Sequence, residues 1–458
     1  MPTNKNSLLK GSYLSLCILI LLFGYNIAYE QWPWLSKSFK QIDIIPLEKN
    51  SLKRNNKSYR ISALKNQKKQ LEILKAQREK DSILIIDNKN RRSKEFFHFF
   101  KALSALQTSK KGSCRIAYYG DSMIEGDVMT MTLRHSLQNE FGGQGFGFLP
   151  LSSEASKFRS NITHKFSENW TKRNLLQKLD STEQVGISGE IYYSDSTGVT
   201  SDVLYETKNY RNLRRFHNTK VFYGKNKSLD STAVLICNQI EYPLFSSDEI
   251  NTLLLIDRDT TRLDIQIKNA KNLPFYGVSS TSKNGIHLDN FAIRGNSGAT
   301  LNKINSNMLQ YFDKELHYDL IVLQFGINVA NGYDNFSWYE NRIKKIIRHF
   351  KNNIPKASIL IISTPDIAIK DATGAMATNP SIPVIVAAQK AAARATDAAF
   401  FNLYEAMGGE NSMVQWVDSL GYANKDYTHF NYKGAKFAAE KIHAYLMHHF
   451  KDFKKDNP

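Results

Sequence analysis

Cysteine is scarce in this chain of 458 residues. Its three cysteines, Cys17, Cys114 and Cys237, form no Cys-x-x-Cys pair, so a zinc ribbon or a thioredoxin-like site has no support. A Cys114–Cys237 disulfide is conceivable, but two buried free thiols are favoured. Metal-ligating residues show no clustered spacing either, so we expect no metal and no other cofactor.

The sequence also lacks internal repeats and any signature of a nucleic-acid-binding fold. Its formal net charge is +18, but residues 51–95 alone hold 14 Lys or Arg against five Asp or Glu, which is half of that excess. A charged segment of this kind is typical of a solvated linker, and a basic face against anionic lipid or a wall polymer is the alternative. We therefore expect no nucleic acid among the partners.

Long apolar runs are rare, with one exception near the start of the chain. Residues 11–29 read GSYLSLCILILLFGYNIAY and carry no charge, which is long enough to span a bilayer. A cleaved signal peptide is the alternative, but no clean small-x-small cleavage site follows. We predict a cytoplasmic tail at residues 1–10 and a transmembrane anchor at 11–29.

Flanking residues orient this predicted anchor. Lys5 and Lys10 precede it, which favours a cytoplasmic amino terminus, and Trp32 and Trp34 follow as an interfacial aromatic belt. The rest of the chain would then lie on the periplasmic or extracytoplasmic side of the cell inner membrane. Residues 30–95 are predicted to be a basic linker.

The globular part is predicted to start near Phe96, and its second half alternates between strand and helix patterns. A composition with 42% hydrophobic and 12% aromatic residues is sufficient for packed cores. Such alternation indicates a parallel sheet with helices on both faces, an α/β fold. The predicted strands are 319–325, 357–363 and 399–403, and the predicted helices are 336–352, 383–398 and 432–450.

Residues 151–275 interrupt this rhythm with short β-prone pieces separated by turn residues, such as 189–193 and 263–267. Long helical patterns are missing from this stretch. We predict an inserted all-β domain, a sandwich or jelly roll. The α/β domain is then assembled from residues 96–150 and 276–450.

Four motifs carry the chemistry. A β-prone run ends at Gly120-Asp121-Ser122, and Asp426-x-x-His429 stands just before the last predicted helix. Between them lie Arg294-Gly-Asn-Ser-Gly298-Ala-Thr and Gln324-Phe-Gly-Ile-Asn328. A serine becomes a good nucleophile only when a base takes its proton, and an aspartate can orient that base. The motifs therefore indicate a serine hydrolase.

In this order the four motifs resemble the SGNH (GDSL-type) hydrolase family. The resemblance implies a three-layer, flavodoxin-like parallel-sheet domain, with Ser122 as nucleophile, His429 as base and Asp426 as its orienter. It further implies an oxyanion hole built from Ser122, Gly298 and Asn328. Gly295 competes with Gly298 for this role, and Val329 stands where many family members have Asp.

Phe275-Tyr-Gly-Val278, Gly285 and Gly298-Ala299 narrow the resemblance to peptidoglycan O-acetylesterases with a β-rich, carbohydrate-binding insertion. The expected function is an exported, membrane-anchored esterase that removes O-acetyl groups from an acetylated glycan. Tyr192, Tyr193 and Trp170 are candidate sugar contacts. An O-acetyltransferase with the same residues and a non-catalytic glycan-binding protein of the envelope are the alternatives.

Overall fold

The structure is a computed structural model that describes residues 95–194, 200–208, 214–226, 233–246, 248–330 and 335–457. Residues 1–94, with the predicted tail and anchor and nearly all of the predicted linker, lie outside these ranges. Within the described ranges, no helix has both the length and the apolar character that a membrane span requires.

The described ranges contain both strands and helices. In chain order the strands are β1 (Ser113–Gly120), β2 (Gly145–Leu149), β3 (Ile162–Phe166), β4 (Trp170–Asn174), β5 (Glu190–Ser194), β6 (Ser201–Thr207), β7 (Thr219–Gly224), β8 (Val234–Cys237), β9 (Ile240–Pro243), β10 (Ile250–Ile256), β11 (Arg262–Lys268), β12 (Pro274–Thr281), β13 (Gly285–Ala292), β14 (Leu320–Gln324), β15 (Ser358–Ile362), β16 (Ala368–Lys370), β17 (Met376–Thr378) and β18 (Ala399–Phe401). The helices are α1 (Phe97–Ser109), α2 (Val128–Phe141), α3 (Ser306–Leu316), α4 (Ser337–Asn353), α5 (Ser381–Ala395), α6 (Leu403–Met407), α7 (Ser412–Gln415) and α8 (Tyr432–Asp456).

Five strands form a parallel sheet in the order β13-β1-β14-β15-β18. Strand β1 lies between β13 and β14, and its last residue, Gly120, pairs with Ala292 on one side and Gln324 on the other. Every residue of β1 after Ser113 is buried. A strand covered on both faces reads as a continuous apolar run, which is why this segment could be recognised in the sequence.

Helices cover this sheet, and the predicted α/β alternation is confirmed. Helix α2 packs against α8, and α4 packs against α5. Helix α4 buries a stripe at helical spacing, which is the amphipathic pattern that predicted it. The predicted strands 319–325, 357–363 and 399–403 correspond to β14, β15 and β18.

The strands β2 to β12 form two antiparallel sheets, which we call the β unit. One sheet has the order β10-β7-β12-β5-β4, with β2 also paired to β12, and the other has the order β3-β6-β11-β8-β9. Buried residues of both sheets form one hydrophobic cluster, as in a sandwich. The β unit runs from Gly145 to Thr281, whereas the predicted insertion runs from 151 to 275.

A buried ion pair within the parallel sheet also makes hydrogen bonds to the β unit. Arg115 on β1 binds Asp289 on β13, with 2.7 Å between Nε and Oδ2, and its Nη2 donates to Ser279 on β12 at 2.9 Å. The second carboxylate oxygen of Asp289 accepts the backbone N–H of Phe148 on β2 at 2.9 Å. The two parts also share buried side chains, including Phe222 and Tyr276 in the core of the parallel-sheet domain. They are therefore firmly attached to each other.

The two described cysteines are free and buried. Cys114 lies on β1, and Cys237 lies on β8 in the β unit. Burial raises the pKa of both thiols, so neither is a reactive thiolate at neutral pH. Of the two alternatives for this pair, the structure shows the free thiols.

Candidate active site

Ser122 lies in a tight turn at the carboxyl end of β1. The side chain of Asp121 turns inward and accepts the backbone N–H of Met123 at 2.9 Å. The backbone N–H of Glu125 donates to the carbonyl of Ser122 at 3.3 Å and closes the turn. Side chains at this edge of a parallel sheet line the binding crevice, so the half-buried Ser122 faces the expected region.

Asp121 stabilises this turn from its buried side. It is 1% exposed, and burial raises its pKa to about 7, although hydrogen bonds from the Met123 amide and the Asn328 side chain act in the opposite direction. The carboxyl of Asp121 thus lies against Asn328, another predicted site residue. Its contacts are internal, so Asp121 has a structural role in the turn.

The structure joins the three predicted catalytic residues by hydrogen bonds. The Oγ of Ser122 lies 2.8 Å from Nε2 of His429, and Nδ1 of His429 lies 2.9 Å from Oδ2 of Asp426. When the ring donates its Nδ1–H to Asp426, the lone pair of Nε2 faces the serine hydroxyl. His429 can then accept the proton of Ser122.

Local hydrogen bonds hold Asp426 in place. Its Oδ1 accepts the backbone N–H groups of Thr428 and His429, each at 3.0 Å. Partial burial by itself would raise the pKa of Asp426, but the hydrogen bonds from the backbone and ring of His429 lower it below the usual value. Asp426 is therefore a carboxylate at neutral pH and can stabilise a protonated His429 ring.

Asn328 follows β14 in a short 3-10 turn, Ile327–Val329. Its two neighbours are buried, whereas Asn328 is exposed and its Nδ2 donates to the carbonyl of Asn296 at 3.1 Å. The same amide also hydrogen-bonds the Asp121 carboxyl, so a substrate oxyanion would have to take the place of one of these two acceptors. The role of Asn328 in an oxyanion hole remains a prediction.

Gly298 occupies a position that only glycine tolerates. Its φ is +80°, and an added Cβ would lie 2.7 Å from the ring of Phe325. Its amide, however, donates to Oδ1 of Asn296 at 2.8 Å. The competing Gly295 is exposed, with a φ of +76°. The predicted donor of Gly298 is thus already engaged in this structure, and its oxyanion role stays a prediction.

Asn296 is a functional residue that sequence reasoning missed. It is 1% exposed, and it accepts hydrogen bonds from both Gly298 and Asn328. The side chain of Asn296 thus holds Gly298 within the second motif, and its backbone carbonyl binds Asn328 of the third motif. The only signal in the sequence was its place two residues before Gly298, where Asn commonly accepts a backbone N–H of the same turn.

A cavity of about 340 Å³ opens at Ser122. Besides the three catalytic candidates it presents apolar and polar side chains. Its lining residues are Ser122, Met123, Glu125, Val128, Phe158, Arg294, Asn424, Asp426, His429, Phe430, Tyr432 and Ala435. The size suits a small acyl group and part of its carrier, and we call this the catalytic cavity.

A second cavity, of about 550 Å³, continues from the first between the parallel sheet and the β unit. We call it the interdomain cavity. Glu125 and Arg294 line both cavities, and they form an ion pair with 2.6 Å between Nη2 and Oε2. Strands β4 and β5 contribute Trp170, Lys172 and Glu190 to its wall. The β unit therefore builds one wall of the crevice beside Ser122.

Asp127, to which the sequence assigned no chemistry, is the centre of a buried polar network. Its carboxylate binds Arg134 at 2.6 Å and Arg159 at 3.3 Å, and it accepts a hydrogen bond from Asn161 at 2.9 Å. Burial alone would raise the pKa of Asp127, but the two guanidinium groups lower it to about 2. Since Arg159 and Asn161 belong to the β unit, this network fixes the nucleophile turn to that unit.

Among the described residues, three potential metal-ligating side chains have donor atoms within 4.8 Å of one another: His448, His449 and Asp452. They lie on α8, and none of them lines the catalytic cavity. The residues around Ser122 offer hydrogen-bond donors and a base.

The parallel sheet and the hydrogen-bonded serine, histidine and aspartate define a class, an α/β protein with the site of a serine hydrolase. Residues 275–437 match the GDSL-like lipase/acylhydrolase family, so the chain carries a domain of that family and is a carboxylic ester hydrolase. The match includes Gly298, Asn328, Asp426 and His429, and Ser122 precedes it on the other side of the β unit. The family predicted from the motifs is confirmed.

Solved structures share this fold. A peptidoglycan O-acetylesterase matches with a TM-score of 0.63 at 22% identity, over 77% of this chain and 96% of that chain. A carbohydrate acetylesterase from Sinorhizobium meliloti matches over 35% and 78% of the two chains at 14% identity, with a TM-score of 0.26. An acetyl xylan esterase matches over 34% and 79% at 14% identity, with a TM-score of 0.25. The first likeness shows the fold, and the other two carry no argument. No curated protein sequence matches the chain.

Proposed function

We propose that this protein removes O-acetyl groups from a cell-envelope glycan such as peptidoglycan, by way of an acyl-Ser122 intermediate. The observation that carries the proposal is the Ser122–His429–Asp426 arrangement, with 2.8 and 2.9 Å between successive partners. It lines the catalytic cavity, which shares Glu125 and Arg294 with the polar interdomain cavity. Similarity in fold to a peptidoglycan O-acetylesterase supports the choice of glycan.

The chemistry follows from these contacts. His429 Nε2 takes the proton of Ser122 as Oγ attacks the acetyl carbonyl, and the carbonyl oxygen becomes an oxyanion. The proposed donors to that oxygen are the backbone N–H groups of Ser122 and Gly298 and the side-chain amide of Asn328. The protonated ring then gives its proton to the departing sugar oxygen. The ring, now neutral, takes a proton from water as that water attacks the acetyl carbon, and it returns the proton to Oγ of Ser122 as acetate leaves.

The interdomain cavity is the proposed place for the sugar that carries the acetyl group and its neighbours. Its walls present ion-paired and amide side chains together with Trp170, and sugars pair hydroxyls with such groups and stack apolar faces on rings. Trp170 is 8% exposed there. Tyr192, another candidate sugar contact, is fully buried and donates its hydroxyl to Glu190, so the structure excludes it from that role.

The test is release of acetate from O-acetylated peptidoglycan and from 4-nitrophenyl acetate by the full chain. Ser122→Ala and His429→Ala are expected to lower kcat on both substrates by orders of magnitude. Ser104→Ala is the matched control, because Ser104 lies on α1, away from the catalytic cavity, in a helix that tolerates alanine. Wild-type turnover in Ser122→Ala would show that another residue is the nucleophile.

The same assay separates hydrolysis from transfer. An acetyl group on Ser122 can pass to water or to a sugar hydroxyl, and the two reactions use the same residues. Adding an unacetylated glycan distinguishes them, since only a transferase would acetylate it at the expense of free acetate. The esterase is favoured because the catalytic cavity opens toward solvent through half-exposed His429 and exposed Asp426.

We further propose that the enzyme is exported and anchored in the cell inner membrane by residues 11–29, with Ser122 outside the cytoplasm. The uncharged run and its flanking lysines and tryptophans support this, and an acetylated wall glycan lies on that side. Protease added to cells with a permeabilised outer barrier should digest the body of the protein and spare a short N-terminal tag. Full protection of the C-terminal domain would contradict this placement.

A further inference from the structure

Helices α4 and α5 carry an excess of basic residues. Residues 96–458 contain 42 Lys or Arg and 35 Asp or Glu, an excess of seven. The two helices alone contain seven Lys or Arg and a single acidic residue, Glu340. The carboxylate of Glu340 is paired with Lys344 on the same helix. A large share of the positive charge of this part of the chain is therefore concentrated on two helices.

The two helices present these charges on one outward surface. The buried residues of α4 lie along one side of the helix, and its exposed residues recur at helical spacing on the opposite side. On α5, the exposed positions 383, 387, 390 and 394 form a similar stripe. Both helices follow strands of the parallel sheet and pack against each other, so both stripes lie on the same side of that sheet. We call this the α4–α5 surface, and its exposed cations are Arg342, Lys345, Arg348, Lys390 and Arg394.

Most of these cations lack an acidic partner. Among the described residues, Arg342, Lys345, Arg348 and Lys390 form no ion pair. Lys351 of α4 shows the contrast, because its ammonium group donates to two backbone carbonyls just after the end of α5 and so has a structural role. Several like charges without counter-charges produce a positive potential, which attracts an anionic partner.

Exposed apolar side chains lie on the same surface. Trp338, in the first turn of α4, is 43% exposed, and Val384, in the first turn of α5, is 45% exposed. Lys345 follows Trp338 by seven residues, two helical turns, and so lies on the same side of α4. Helices that lie on an anionic bilayer combine Trp among the headgroups with Lys and Arg against the phosphates. A small soluble anion would gain nothing from the two apolar side chains.

We propose that the α4–α5 surface docks on a phospholipid bilayer that contains anionic lipids, with Trp338 at the level of the headgroups. Arg342 and Arg348 are six residues apart, about 9 Å along the helix axis, so the charges are spread over several headgroups rather than focused on one ion. The contact is electrostatic and requires neither residues 11–29 nor the proposed esterase reaction. It would fix the orientation of the parallel-sheet domain on the membrane.

The experiment measures how fast exposed lysines of the full chain are acetylated by N-hydroxysuccinimidyl acetate in the presence of liposomes, with peptide mass spectrometry as the readout. Lys345 and Lys390 are expected to react about threefold more slowly, or slower still, with phosphatidylcholine–phosphatidylglycerol liposomes than with pure phosphatidylcholine. This protection should disappear in about 0.5 M NaCl, because salt screens the attraction. Lys268 and Lys271, exposed on the β unit, are internal controls and should react equally with both liposomes.

Two double variants test the surface itself. Arg342→Gln with Arg348→Gln places good helix formers at exposed positions and is expected to abolish most of the protection of Lys390. The matched control, Lys268→Gln with Lys271→Gln, removes the same charge from the β unit and should keep that protection. Hydrolysis of 4-nitrophenyl acetate should be unchanged in both double variants, which also shows that they are folded.

Two results would overturn the proposal. One is equal reaction of Lys345 and Lys390 in neutral and anionic liposomes. The other is protection by soluble peptidoglycan fragments with none by anionic liposomes, since the partner would then be an anionic glycan. Neither result would affect the esterase assignment, which depends on acetate release.

Discussion

Replacing Asp127 by Asn tests the link between the nucleophile turn and the β unit. Asp127 has a φ of +63°, a conformation that Asn tolerates as well as Asp, so the substitution removes a charge without straining the backbone. The variant leaves the side chains of Arg134 and Arg159, which are 1% and 9% exposed, without their common carboxylate.

The size of the effect follows from this burial. Removing one partner of a buried ion pair costs about 3–5 kcal/mol, because the remaining charge is desolvated and uncompensated. The exposed pair Lys436–Glu440, with 3.7 Å between its charged atoms, is the matched contrast. Glu440→Gln is expected to cost no more than about 1 kcal/mol, since water screens a surface pair.

Urea unfolding at pH 7, followed by tryptophan fluorescence and far-UV circular dichroism, measures both effects. The pH dependence adds a second criterion. The pKa of Asp127 is about 2 when folded, below the value of about 3.9 for an unfolded aspartate, so its contribution is complete above about pH 4 and is lost as the pH falls toward 2. The difference between wild type and Asp127→Asn should shrink over that interval. A loss at pH 7 no larger than that of Glu440→Gln would refute the reasoning.

Three further predictions concern the catalytic cavity. Asn328→Ala should lower kcat on 4-nitrophenyl acetate about 10²–10³-fold with little change in KM, and an effect on KM alone would mean that Asn328 binds the substrate instead. Asp426→Asn should lower kcat by up to about 10⁴-fold, because the ring of His429 loses the carboxylate that stabilises its protonated form. An unchanged kcat in Asp426→Asn would rule out the orienting role of Asp426. Gly298→Ala should reduce both stability and activity, since the new Cβ meets the ring of Phe325 at 2.7 Å, and a fully stable variant would contradict the close approach seen here.

The hydrogen-bonded arrangement of Ser122, His429 and Asp426 could be anticipated because the information that points to it is local. A buried strand ending at Gly-Asp-Ser and an Asp-x-x-His segment before a helix are patterns of a few residues each, and the order of the motifs identified the family. In a parallel sheet, strand ends meet at one edge whatever the loops between them contain. Ser122 and His429 could therefore be paired without knowing the path of the intervening chain.

The sugar contacts were harder to predict because they depend on which face of a strand a residue takes. Trp170, Tyr192 and Tyr193 were equivalent candidates in the sequence. In the fold, Trp170 lines the interdomain cavity, Tyr192 is buried in the β unit, and Tyr193 lines a separate cavity on the other face of the same strands. Successive side chains along a strand lie on opposite faces of the sheet. Which of the two faces lines a cavity depends on how the sheet packs, and the sequence does not show this.

The sequence by itself determined the α/β alternation, the β-rich interruption, the family and the three hydrogen-bonded residues of the triad, because each depends on short-range periodicity or on a compact motif. The tertiary structure decided the rest. Asn296 joins two motifs, and Asp127 meets guanidinium groups from α2 and the β unit. Each of these contacts joins segments that are distant in the chain, and its energy depends on how deeply it is buried. The contacts therefore form only when the tertiary structure packs those segments together.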